Sequence, residues 1–372
     1  MMQRYAKRAT LLLVVLLESS ILLFLPQTKL RGSENQNAQP VNLAVFIQGQ
    51  LSVKRKGWTS YAPVVFGTNL RSGDLLRLDD SSRAKIVCSD LTLREISPGI
   101  VGVPCEEAQP LLRRADGSLI NATRSWPGDG PYPIVLSPRR TKLLSQHPVL
   151  RWTAVEGAST YLVTVRGRDL YWSSRVQSAT ELKYPDNAPP LVVGVDYKLI
   201  VQTADQSSSA EPGLGLGFSI ISAKEKKIVQ DEEKQIESLG LPPGPTQFLI
   251  AHLYASHDLN AEAIKRLEGI SDTFKVPAVA RLLGDLYLNI GLLRQAETSY
   301  LSSLNLSIEA KDEEGQMLDH LALARIYEQA LGNVKSANEQ LDATLAIANK
   351  LGDDYTANEV GKRLAELKRT GT

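Results

Sequence analysis

Apolar residues follow three successive rhythms along the chain. The first is a 17-residue, mainly apolar run from Ala9 to Leu25, interrupted by Glu18 with Ser19 and Ser20 and preceded by Arg4, Lys7 and Arg8. From Val41 the period becomes two. Leu43, Val45 and Ile47 alternate with neighbours on the other face, Gly49 intervenes, and Leu51 and Val53 resume the pattern. Gly, Ser, Asp or Pro breaks this alternation roughly every eight to twelve residues, which predicts an all-β region. After Ser222 the spacing becomes helical. In Pro277 to Ser303, Leu283, Gly284 and Tyr287 share one face, Gly291 falls at a turn, and Ala296 and Tyr300 lie on a second helix. The fold class expected is multidomain: an all-β N-terminal part followed by an all-α helical repeat array.

Punctuation sets the boundaries. Residues 1–31 read as a signal anchor or signal peptide, because basic residues precede a run that is short for a spanning helix of about 20 residues. No convincing small-x-small cleavage site follows, so an uncleaved anchor is favoured over a removed signal. Residues 32–40 are a polar tether, 41–126 a first β domain, and 127–133, Pro-Gly-Asp-Gly-Pro-Tyr-Pro, a linker. A second β domain spans 134–222. Residues 223–243 read as a connecting helix with Ile228, Ile236 and Leu239 at helical spacing, stopped by Gly240, Pro242 and Pro243. The helical repeats and a capping helix fill 244–372.

Three resemblances follow. Gly49-x-Leu-x-Val53, Trp58, Gly67-Thr-Asn-Leu70, Ser72-Gly-Asp-Leu-Leu76 and Ser82-Arg-Ala-Lys-Ile-Val87 together resemble the FecR-type domain of bacterial envelope proteins. Its turn, Leu70 to Leu76, has Gly73 where a positive φ is tolerated and Asp74 where a carboxylate can bond the turn backbone. Trp152, Tyr161 to Val165, Gly194 with Tyr197, and Gly217 to Ile221 look like a fibronectin type III or immunoglobulin-like sandwich. The resemblance makes Trp152 core and Tyr197 a corner residue whose hydroxyl bonds backbone. Ile250, Ala251, Tyr254, Ala263 and Leu267 match Leu283, Gly284, Tyr287, Ala296 and Tyr300 at a constant offset of 33. That order is similar to the tetratricopeptide repeat, whose period is about 34. A third unit, Leu323, Ala324 and Tyr327 with Ala337 and Leu341, comes after a longer spacing. Its turn at Gly332-Asn333 is one residue longer, and Tyr355 to Leu367 supplies the cap.

The repeat resemblance implies a groove lined by first helices. The positions carried over are Phe248 and His252, then Arg281, Asp285 and Asn289, then Leu321, Arg325 and Gln329. Arg281 and Arg325 are expected to hold a carboxylate or acidic segment of a partner, because guanidinium forks bind carboxylates bidentately. Asp285 is the alternative internal neutraliser. The partners expected are proteins or extended peptides, with membrane anchoring through residues 9–25 and an exported, periplasmic location.

Composition changes this picture little. The chain has 372 residues, 43% apolar and 22% charged, ordinary for globular protein. Residues 1–30 carry +3, residues 31–222 +4 and residues 223–372 −6, consistent with a net +1. A nucleic-acid binder usually carries a far more basic domain. Lys54-Arg55-Lys56, and Arg139-Arg140 with Lys142, read as solvated turns. Cys88 and Cys105 are the only cysteines, and in an exported segment a disulfide is expected, with two free thiols the alternative. His147, His252, His257 and His320 show no metal-ligand spacing, and no nucleophile elbow or phosphate loop is present; Gly213, Gly215 and Gly217 precede a strand. No enzyme activity, cofactor or metal is expected. The FecR resemblance also suggests a signalling regulator. Only about eight residues precede the apolar run, so anti-sigma activity is not expected. Trp58, Tyr61, Trp126 and Trp172 keep open an alternative of glycan or peptidoglycan binding, or of envelope sensing, through the β domains.

Overall fold

A computed structural model describes residues 40–105, 111–112, 132–204, 207–209 and 216–370. The apolar run Ala9 to Leu25, Trp126, Gly213 and Gly215 lie outside the described residues. Among the described residues no helix is long and apolar enough to cross a membrane. Among these residues a strand-rich region is followed by eight α-helices, and residues 38–372 form one compact unit.

The first β domain is two four-stranded antiparallel sheets. One runs β4 (Asn69–Leu70), β1 (Asn42–Gln48), β6 (Arg83–Val87), β7 (Leu93–Glu95); the other runs β3 (Ala62–Pro63), β2 (Leu51–Lys54), β5 (Leu75–Leu78), β8 (Gly99–Gly102). Their facing sides enclose Ala44, Val53, Leu70, Leu76 and Ile86. Cys88 follows β6 and Cys105 follows β8, and the disulfide they form ties the two sheets together.

Strand β1 departs from the simple alternation read above. Asn42, Leu43, Ala44 and Val45 are all buried, because the sheet has a core on each side: Ala44 faces the second sheet, while Leu43 and Val45 face the helices. A register shift between Ala44 and Phe46 then turns Ile47 back to the Ala44 side. A one-residue bulge moves every later side chain to the opposite face.

The second β domain has sheets β14 (Glu181–Lys183), β11 (Val149–Trp152), β9 (Val135–Ser137) and β13 (Tyr171–Gln177), β12 (Thr160–Arg166), β15 (Lys198–Thr203). A parallel pair, β10 (Thr141–Leu143) with β16 (Phe218–Ile220), completes it. Trp152, Tyr161, Tyr184, Tyr197 and Phe218 fill its core. The Tyr197 hydroxyl accepts from the Val192 N–H at 2.7 Å.

Helix α1 (Ala223–Glu237) opens on a reciprocal cap, Ser222 with Glu225. Its buried side chains are Val229 and Ile236, seven residues apart, while Ile228 is exposed. Ile236 and Leu239 therefore meet the core as expected, and Val229 rather than Ile228 completes the stripe. Pro243 is not a terminator but the first residue of α2 (Pro243–Ser256), where a missing N–H costs nothing.

The remaining helices pack consecutively: α3 (Asn260–Ile270), α4 (Pro277–Asn289), α5 (Leu293–Glu309), α6 (Glu313–Arg325), α7 (Val334–Leu351) and α8 (Asp354–Thr370). The turn inside each pair repeats. Leu259 N–H donates to Tyr254 O at 2.9 Å and Leu292 N–H to Tyr287 O at 2.8 Å, while Asp258 and Gly291, also 33 apart, take positive φ. In the third pair Asn333 N–H donates to Tyr327 O, six residues back instead of five, and Gly332 takes the positive φ. The additional residue is absorbed as a π-helical turn, Ile326–Ala330. Gly284 shows why a small residue is needed between paired helices: a Cβ there would lie 2.8 Å from the Tyr300 ring.

Candidate functional site

Of the expected groove residues, Phe248 packs on the chain's own first β domain, and His252, Arg281 and Asp285 border a cleft that this domain also lines. Besides Leu43 and Val45 on β1, one run of chain, residues 55–67, carries aromatic and charged contacts. Phe66 packs at a tilt against Phe248 and edge-on to Phe274, with centroids 5.2 and 4.8 Å apart. Gly67, at φ +81, approaches α4 so closely that a Cβ would lie 2.2 Å from that of Ala278. Trp58 and Ala62 pack with Met317, Ala348 and Leu351, and Ser60 N–H donates to Leu351 O at 3.2 Å.

Two buried ion networks flank this contact. Arg55, 5% exposed, donates through Nε and Nη2 to Oε1 and Oε2 of Glu314 at 3.0 and 2.6 Å, and also pairs with Asp74. Burial works against the Arg55 charge, but Glu314 and Asp74 outweigh it and hold its pKa above the ordinary value. Asp74 also accepts from Arg71 N–H at 2.7 Å, so the Gly-Asp turn is fixed to its own backbone and, through Arg55, to α6. In the second network Arg281 donates from Nε and Nη2 to Oδ1 and Oδ2 of Asp319 at 2.8 and 3.0 Å, and lies 3.6 Å from Asp312. Ser303 and Ser307 hydroxyls donate to Asp319 at 2.8 and 3.2 Å. Asp312 caps α6 through Gly315 N–H; burial raises its pKa against the pull of Arg281.

Between the networks lies a cleft of about 110 Å³, lined by Arg55, Gly67, Asn69, Arg71, Phe248, His252, Ala278, Arg281, Asp285, Asp312, Glu314 and Leu318 among others. His252 stands edge-on to Phe248 at 4.8 Å, its Nδ1 is enclosed without a hydrogen-bond partner, and burial lowers its pKa to about 4, so the ring is neutral.

The other expected groove residues are placed as follows. Asp285 accepts from the Tyr300 hydroxyl at 2.7 Å. Asn289 is buried, Leu321 is packed beside Ala324 and Leu341, Arg325 is exposed, and the Gln329 side chain lies outside the described residues. Arg281 and Arg325 are not joined in one carboxylate clamp, because the Arg281 fork is filled by Asp319.

The reading of the two basic clusters as solvated turns is corrected at Arg55, Arg139 and Arg140, while Lys56 is exposed as expected. Arg55 is the buried link just described. Arg139, also 5% exposed, donates to Ile290 O at 2.7 Å, and Arg140 to Asn289 O at 2.9 Å. They satisfy carbonyls at the C-terminal end of α4, where cations are favoured. The seam continues with Lys142 N–H to Asp258 O, Asn260 to Arg140 O, and Leu144 N–H to Glu262 Oε1 at 2.9 Å.

Glu262 supplies a pH handle on this second seam. Burial raises its pKa from 4.5 to about 7, while Oε2 has no hydrogen-bond partner. A raised folded-state carboxyl pKa means that the folded state binds the proton more tightly. Stability is then greatest below about pH 4.5 and falls as pH rises from there to about 7. Glu262→Gln, which keeps an acceptor for Leu144 N–H, is expected to raise Tm at pH 8 by a few degrees and to leave it unchanged at pH 4, read by thermal melts across pH. Equal shifts at both pH values would contradict the assignment.

No protein-family model matches the chain, and no curated protein matches it. Among the described residues no group of three His, Cys, Asp or Glu side chains is placed to hold a metal ion. His257 lies 2.7 Å from Glu232 and His320 2.7 Å from Gln340. Of the aromatics considered for sugar stacking, Trp58 is buried under the helices, Tyr61 is covered by the Arg77 guanidinium at 4.5 Å, and Trp172 meets Tyr184 edge-on at 4.8 Å.

Proposed function

We propose that this chain is a non-enzymatic protein-interaction scaffold of the bacterial cell envelope, in which a FecR-type domain and a fibronectin-like sandwich support a short array of tetratricopeptide type. The observation that carries the reading is the recurring intra-pair turn, with Tyr254, Tyr287 and Tyr327 each accepting through its carbonyl and a positive φ at residues 258, 291 and 332. Units that recur in this way bury their apolar faces against one another and leave extended surface for other polypeptides. Export agrees with the Cys88–Cys105 disulfide, a bond that persists in oxidising compartments. Anchoring through residues 9–25 completes the proposal.

Crosslinking in intact envelopes, followed by mass spectrometry of the captured chain, tests it. The expected result is peptide-to-peptide links between residues of α2 to α7 and another protein. Links to glycan alone, with none to protein, would replace the scaffold reading by the glycan-binding one.

A further inference from the structure

We propose that the face formed by α2, α4 and α6 is a site for a basic, aromatic-bearing extended segment of a partner protein, and that the first β domain occupies this site in cis as its competitor. The inference rests on the scaffold reading and names its partner chemistry.

The occupant already present defines the chemistry. Leu43 and Val45 of the first sheet also pack on the helices, but the charged and aromatic anchors come from the single stretch 55–67, which offers a guanidinium to Glu314, an indole to Met317 and Leu351, and a phenyl ring to Phe248. It ends on a glycine laid against Ala278. A linear stretch of this kind is what a partner can reproduce, and buried aromatic and arginine anchors are the residues that dominate such interfaces.

Charge selects the sign of that partner. Asp285, Asp312 and Glu314 border the cleft from the helices, whereas the helical cation there, Arg281, is neutralised by Asp319 and Asp312. Residues 223–372 carry −6 and residues 31–222 carry +4. An acidic segment would bring carboxylates against carboxylates; a basic one repeats the complementarity already present. The acidic partner expected for Arg281 and Arg325 is therefore replaced by a cationic one.

Competition in cis makes the site conditional. A tethered occupant acts at an effective concentration on the order of millimolar, so a free segment of equal intrinsic affinity is largely excluded until the tethered one is weakened.

The test uses full-length protein and a fluorescent synthetic peptide of residues 52–68, read by anisotropy. Wild type is expected to bind weakly, Arg55→Ala to bind at least about tenfold more tightly, and Glu314→Gln in the Arg55→Ala background to abolish the gain. A peptide carrying Glu in place of Arg55 is expected to bind at least about tenfold more weakly. Equal affinity of wild type and Arg55→Ala, or indifference to the peptide's charge reversal, overturns the proposal. Should circular dichroism show Arg55→Ala unfolded, Arg55→Lys keeps the charge but loses the fork; a gain of about threefold supports the proposal and no gain overturns it. Failure here with envelope crosslinks intact leaves the scaffold reading standing and moves the partner to another surface. Failure of the crosslinks with the peptide gain present does the reverse.

Discussion

Asp319→Ala is expected to remove about 3–5 kcal/mol of stability from the helical region, the cost of stranding a buried charge. Asp319 is fully buried and accepts both arms of Arg281 and the hydroxyls of Ser303 and Ser307. Removing the carboxylate leaves the guanidinium with the neutral Ser307 hydroxyl at 2.9 Å and with Asp312 at 3.6 Å, the latter too far to replace the two charged bonds lost. Asp319→Asn keeps the volume and one acceptor and should lose less. Urea unfolding with hydrogen exchange on α4 to α6 distinguishes the cases. If both variants unfold with the wild-type midpoint, the network contributes nothing net. The Arg281→Ala and Asp319→Ala double variant should be less unstable than the sum of its singles, because each single leaves a partner uncompensated.

Cys88→Ser is expected to cost about 3 kcal/mol in the first β domain, the loop-entropy value for a separation of 17. The bond joins the ends of β6 and β8, so its loss frees one sheet to open against the other. Reduced wild type should match the variant, since both lack the tether, whereas oxidised wild type should stand above them. Urea midpoints with and without reductant check this; identical midpoints for oxidised wild type and Cys88→Ser would contradict it.

Much of the layout is legible in the residues because it is local. Alternation marks the strands, an offset of 33 marks the helix pairs, and the change to helical spacing after Ser222 marks a helix start. Trp152 as core and the Tyr197 hydroxyl bonded to backbone are what the sandwich resemblance implies, and the structure has both. The contact between β domain and helices is not legible, because its partners are remote: Arg55 and Glu314 are 259 positions apart, Arg139 and Ile290 are 151 apart. A basic run viewed alone reads as hydrated, and only its distant partner shows otherwise. One signal was available. Val41 to Ile47 is nearly continuous in apolar residues, which suits a strand buried on both sides better than one with a wet face.

The π-helical turn at Ile326–Ala330 has a mechanical consequence. One surplus residue inserted into a regular helix swings everything beyond it by about 100° and advances it by about 1.5 Å. Here the surplus is spent within five residues, and Ala337 still bonds back to Asn333 as Ala296 does to Leu292. The surplus residue is therefore accommodated inside this turn, and the seventh helix opens on the same backbone bond as the fifth.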